Sequence, residues 1–194
     1  MVVRFPIDMR LADLSSRPKR RIASPMTKMT RQSFQAIGIG VALAALALDQ
    51  ATKCLVTKLY VPLGGVELAP FLNLVFWRNS GVTFGLFDGN GEIGRWTLSA
   101  LALAITLALA IWLRRAERRM LATALGLVMG GALGNVVDRV RVGAVTDFID
   151  LHVAGRHWPA FNLADVAVVT GIAILLLDDN LKGLRKARVA RRAS

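Results

Sequence analysis

The chain alternates between long apolar runs and short polar segments. The first run, Phe34 to Val56, is long enough to cross a bilayer as a helix. The second, Trp96 to Leu113, has 18 uncharged residues; as a helix it is about 27 Å long, close to the hydrocarbon thickness. The third, Met120 to Val140, carries Gly126, Gly130, Gly131 and Gly134. Small residues at helical spacing let helices approach closely in lipid. The fourth runs from Asn162 to Leu177, stops at Asp178-Asp179, and is least hydrophobic at its start. Four membrane helices are therefore expected. Residues 57–92 and 141–161 are expected as loops on one side. The first of these contains Pro62, Gly64-Gly65, Pro70 and a β-like stretch from Phe71 to Trp77, which predicts a small sheet. Phe76, Trp77, Phe84 and Phe87 are expected at headgroup level, where aromatic rings are favoured.

Charge orients this arrangement. The chain of 194 residues is 54% hydrophobic and carries a net charge of +12. Most of its basic residues lie in three clusters: residues 1–33, the Arg114-Arg115/Arg118-Arg119 link, and a tail from Lys182 to Arg192. Apolar runs separate them, which is the positive-inside pattern rather than a nucleic-acid patch on a soluble fold. Both termini are placed in the cytoplasm. Residues 1–33 read as a basic, disordered arm, 34–180 as the membrane domain, and 181–194 as a basic tail; Met26 and Met29 are alternative starts. The basic arm before an apolar stretch also resembles a signal peptide, but no small-residue cleavage site precedes Asp49, so the first run is read as retained. The one cysteine, Cys54, excludes an internal disulfide and reads as an ordinary membrane residue. No Cys/His spacing suggests a metal.

With this orientation, polar groups from separate runs fall at one depth near the outer surface. Asp49 and Lys53 are four apart and share a helix face. Asn135, Asp138 and Arg139 lie near the outer end of the third run; Asp147 follows it, and Asn162 and Asp165 open the fourth. Ionisable groups at membrane depth mark functional sites by default. Two acids at matched depth, Asp147 and Asp165, can share a proton and activate a water. Duller roles are available for each residue. Asp49 and Lys53 can form a structural ion pair, and Asp138 can satisfy helix-end groups. Asn162 can cap the fourth helix, with Asp165 favouring its dipole. Asp150 competes with Asp147, and His152 and His157 read as interfacial loop residues. Ser80 and Thr83 lack an evident base, which weakens a serine mechanism. A small transporter using the acids as a proton relay, or a lipid-binding protein using them as structural ion pairs, is the alternative reading.

Five segments carry a family resemblance: Asp49-Gln50-Ala51-Thr52-Lys53; Arg78-Asn79-Ser80-Gly81-Val82-Thr83-Phe84; Gly130 to Arg139; Val145-Thr146-Asp147-Phe148; and Trp158 to Asp165. In this order, over residues 34–180, the chain resembles lipoprotein signal peptidase (signal peptidase II), an aspartyl membrane protease of bacteria. The resemblance implies an all-α membrane protein of four transmembrane helices with a small β-rich outer segment and an interfacial loop. It implies Asp147 and Asp165 as the catalytic dyad, with Asn79, Gly81, Asn135, Arg139 and Asn162 as substrate-binding or site-organising residues. Asp49, Lys53 and Asp138 are implied as supports. The implied substrate is a diacylglyceryl-modified prolipoprotein, cut before the lipidated cysteine at the outer face of the bacterial cytoplasmic membrane. Membrane phospholipid is the other expected partner, and no metal, organic cofactor or nucleic acid is required. The outer-loop motif departs from many relatives at Gly81-Val82-Thr83-Phe84-Gly85, where alanines and a serine are common.

Overall fold

Glycines let the third helix sit at the centre of the molecule. The computed structural model describes residues 30–59, 65–81 and 91–193. In chain order these form α1 (Arg31–Leu59), β1 (Val66–Ala69), β2 (Leu72–Asn79), α2 (Gly91–Leu113), α3 (Arg119–Val142), β3 (Val145–Val153), β4 (Arg156–His157) and α4 (Leu163–Ala193). Gly130 of α3 faces the carbonyl of Ala42 on α1, and Gly131 faces the carbonyl of Ala164 on α4. A Cβ at either position would collide with backbone, so α1 and α4 can approach this closely only because α3 presents glycine there. The expectations for residues 1–29, including Met26 and Met29, and for Thr83, Phe84 and Phe87 lie outside the described residues.

Three described helices are long and apolar enough to cross a membrane: Arg31–Lys58, Glu92–Leu113 and Arg119–Val142. α2 leaves Leu101, Leu103, Leu107, Ile111 and Trp112 exposed. An apolar helix so little covered by protein is suited to lipid, where all its backbone groups remain satisfied internally. α4 differs. Its uncharged stretch, Val166 to Leu177, is about 18 Å long at 1.5 Å per residue. Instead of ending before the basic tail, it continues as one helix to Ala193. At that end Arg118 reaches Asp178 at 2.9 Å, tying α4 to the α2–α3 link. Beside this link, Leu113, Ala116, Leu121, Ala122 and Leu125 form a buried apolar cluster.

The small sheet is larger than the sequence pattern suggests. Its four antiparallel strands run in the order β1-β2-β3-β4. Residues 141–161, expected as a loop, supply half of it. α3 ends at Gly143, whose φ of 83° suits glycine and whose N–H donates to the Arg139 carbonyl at 3.1 Å. The chain then enters β3 and turns back through Ala154 and Gly155, both with positive φ. Trp77 of β2 pairs with Asp147 of β3, and Asn73 with Asp150. The strand pleat sends Asp147 and Asp150 to opposite faces, since side chains alternate along a strand.

Candidate active site

The base of the site is a buried ionic cluster. Lys53 Nζ lies 2.9 Å from Asp49 Oδ2 and 3.1 Å from Asp138 Oδ2. Asp49 is completely buried and Lys53 nearly so. Gln50 Nε2 donates to Asp49 Oδ2, the Gly134 carbonyl and Asp138 Oδ1 at 3.0–3.1 Å. Each carboxylate also accepts from backbone: Asp138 Oδ2 from Thr146 N–H at 2.9 Å, and Asp49 Oδ1 from Ala164 N–H at 3.0 Å. Buried charges are tolerated only when paired and hydrogen-bonded in this way. The cluster fastens α1, α3, the start of β3 and the start of α4 to one another. The ion pair expected between Asp49 and Lys53 is present, and Asp138 joins it. Gln50 and Thr146 are part of it, although the sequence assigns them no role. Both lie within the motif segments, next to charged residues, and that adjacency was the available signal.

Above this base, α4 begins with a reciprocal cap. Asn162 Oδ1 accepts from Asp165 N–H at 3.0 Å, and Asp165 Oδ2 accepts from Asn162 N–H at 3.2 Å. This is a capping box with aspartate in the third position. Asn162 Nδ2 points the other way and donates to Asp147 Oδ1 at 2.6 Å. One fully buried residue therefore holds both acids. The cap expected of Asn162 is present, and the same side chain also contacts Asp147. Asp147 Oδ2 accepts from Asn79 Nδ2 at 2.9 Å, across the β2–β3 pair. Asn79 Oδ1 in turn accepts from Gly81 N–H at 3.1 Å. Asp165 Oδ1 accepts from Asn135 Nδ2 at 2.8 Å.

A cavity of about 540 Å³ opens over the acids. Asn79, Gly81, Asn135, Arg139, Asp147 and Asp165 line its polar side; Val145, Trp158, Phe161, Val166 and Val169 are among its apolar wall. Arg139 Nη2 donates to the Gly81 carbonyl at 3.4 Å, and its buried Nε has no hydrogen-bond partner among the described residues. Asp147 is 1% exposed. Burial pushes its carboxyl up to about 6, and the charge of Asp165 adds to the rise against the opposing hydrogen bonds from Asn79 and Asn162. A neutral acid near neutral pH can donate a proton, while an ionised neighbour can accept one.

Asp150 is on the other face of β3. It accepts from Asn73 Nδ2 at 3.0 Å and meets His157 Nδ1 at 2.9 Å. Its partial desolvation raises its pKa, but the hydrogen bonds from His157 and Asn73 outweigh that and hold it below the usual carboxylate range. His152 stacks on His157 with ring centroids 4.9 Å apart. None of these residues lines the cavity. Of the expected substrate-side residues, Asn162 sits behind the wall and the other four face the cavity.

Residues 41–180 match the family described as signal peptidase (SPase) II. The lipoprotein signal peptidase of Methylorubrum extorquens (strain PA1) is 49% identical over 146 residues, covering 73% of this chain and 84% of the relative. That of Paraburkholderia phymatum is 43% identical over 154 residues, covering 79% and 90%. A bacterial membrane enzyme solved by the in meso method at 2.3 Å superposes with a TM-score of 0.64 at 30% identity, over 75% of this chain and 90% of that one.

Proposed function

The chain belongs to the signal peptidase II family, and from that membership we propose that it removes signal peptides from prolipoproteins, cutting before a diacylglyceryl-modified cysteine with Asp147 and Asp165 as its acid–base pair. The observation that carries the dyad is the double engagement of Asn162. Its side chain donates to Asp147 and its backbone N–H donates to Asp165, so both acids are set at the edge of one cavity.

The chemistry follows from two carboxyls that share one proton. Close like charges oppose double ionisation of such a pair. The ionised member takes a proton from a water as it attacks the scissile carbonyl. The protonated member donates to the carbonyl oxygen. Collapse of the tetrahedral intermediate passes a proton to the leaving amine and breaks the C–N bond. No step requires a metal or an organic cofactor. Arg139 carries a guanidinium N–H toward the cavity side, suited to hold peptide carbonyls or the ester oxygens of the lipid. The apolar wall of Val166 and Val169 suits acyl chains.

In this reading both termini are cytoplasmic in a bacterial inner membrane. α4 is a short fourth span that starts at the outer boundary. The sheet lies outside, with exposed Trp77 and Trp158 at headgroup level. The net positive charge faces anionic phospholipid at the cytoplasmic surface rather than nucleic acid. The deciding experiment is a gel-shift cleavage assay on diacylglyceryl-modified and unmodified precursor, with wild type, Asp147→Asn and Asp165→Asn at matched expression. Cleavage of the modified precursor alone, lost in both variants, is expected. Cleavage surviving in either variant removes that residue from the dyad.

A further inference from the structure

The ionic cluster and the acid pair are joined by one side chain, Asn135. Its Oδ1 accepts from Lys53 Nζ at 3.1 Å and from Asn162 Nδ2 at 3.2 Å, while its Nδ2 donates to Asp165 Oδ1 at 2.8 Å. An ammonium has three donors and no acceptor. Whatever atom of Asn135 faces Lys53 must therefore be its oxygen, and its NH2 is turned toward Asp165. The oxygen also accepts from Asn162 Nδ2, which reaches Asp147 as well, while Asn162 Oδ1 is used in the α4 cap.

We propose that Lys53 is a positioning residue for the acid pair: its ammonium sets the amide orientation of Asn135, and through it that of Asn162, so that Asp147 and Asp165 each receive an N–H donor. Flipping Asn135 would set donor against donor at Lys53 and acceptor against acceptor at Asp165. Lys53 does not touch substrate in this scheme. The inference rests on the acid pair proposed above. The charged groups around the relay are Asp49 and Lys53 on α1, Asp138 and Arg139 on α3, Asp147 on β3 and Asp165 on α4. Lys53 also lowers the pKa of Asp147 through its charge, which supports a link between the two but is separate from the amide argument.

Removing Lys53 alone would leave two buried carboxylates without their cation. The test therefore uses Asp49→Asn/Lys53→Met, which keeps the net charge of the Asp49–Lys53–Asp138 group and a carbonyl acceptor for Ala164 N–H. It is compared with Asp49→Asn alone and with Asp49→Asn/Lys53→Gln, whose amide restores a donor. In the full-length protein in detergent, with matched melting temperatures, kcat on lipidated precursor is expected to fall about 100-fold in the Met variant relative to Asp49→Asn, the order expected for misplaced reacting groups. KM is expected to change little. The Gln variant is expected to recover part of kcat, which a space-filling role for Lys53 would not predict. A second variant, Asn135→Asp, leaves Lys53 fully paired, removes the donor to Asp165 and sets a carboxylate in its place. It is expected to lose kcat and to shift the basic limb of the pH–rate profile upward. The proposal is overturned by a Met variant as active as Asp49→Asn, by equal kcat in the Met and Gln variants, or by an unchanged pH profile in Asn135→Asp. Failure of the acid-pair reading shows separately, as cleavage retained in Asp147→Asn or Asp165→Asn.

Discussion

Replacing Asn162 with serine and with alanine separates its two jobs. Serine is a good N-cap and keeps an oxygen for Asp165 N–H, whereas alanine keeps nothing. Neither can donate to Asp147 Oδ1 across the 2.6 Å bond that the amide spans. The alanine variant should be less stable than the serine variant by about 1 kcal/mol, the usual worth of a cap. Both should lose a hydrogen bond to a carboxylate, worth about 1.5–3 kcal/mol. That bond favours the ionised form, so its loss raises the Asp147 pKa from about 6 by about 1–2 units, at 1.36 kcal/mol per unit. The sign is fixed: the singly protonated pair then survives to higher pH. The basic limb of kcat/KM against pH, which reports the free enzyme, should move alkaline in both variants while the plateau falls. The assay is cleavage of lipidated precursor from pH 4 to 9, with melting curves at each pH. A basic limb that stays put or moves toward acid, or a serine variant as active as wild type, would refute the reasoning.

Other expected outcomes follow from the same geometry. Burial raises Asp147 from 3.8 to about 6, equivalent to about 3 kcal/mol; this contribution to stability is full below pH 3.8 and is lost as pH rises through 6. Asp147→Asn should therefore melt no lower than wild type at pH 7.5, with any advantage gone at pH 4, while cleavage is abolished; a clear drop in melting temperature at pH 7.5 would contradict this. Asp150 is held low by its partners, so the stability it adds is present at neutral pH and is lost as pH falls through its folded value. Asp150→Asn should melt lower at pH 7 yet retain cleavage, and loss of activity in folded protein would return Asp150 to contention. A Cβ at Gly134 would stand 2.5 Å from Asp49 Oδ2 and 3.3 Å from Ala164 Cβ. Gly134→Ala should cost about 1–3 kcal/mol as overpacking, whereas Gly40→Ala, with open space around it, should be neutral or stabilising in the same thermal assay.

The helices were legible because each apolar run is uninterrupted over many turns, and the Asp49–Lys53 pair because four residues is one helical step. β3 was not. Val145, Ile149, Leu151 and Val153 do alternate on one face, but Asp147 occupies the position between Val145 and Ile149, and an acid on the apolar register hides the pattern. Reading the segment as a loop leaves Asp150 as a rival to Asp147. As a strand, parity alone separates them, because three residues apart means opposite faces. Asn79 was legible as a member of a motif, but not as a diagonal neighbour of Asp147, since that contact depends on the β2–β3 register. Lys53 was assigned to its own helix partner by local spacing. Its reach to Asn135 joins positions 82 apart in the chain, which no local pattern encodes.

The bond from Ala164 N–H to Asp49 joins residues separated by 115 positions, close to the two ends of the described domain. During synthesis α1 leaves the ribosome before α4. Until α4 docks, Asp147 has no second acid and Asp49 has no backbone donor to cap. With Asp147 and Asp165 as the proposed pair, a chain cut short before α4 has no hydrolytic capacity.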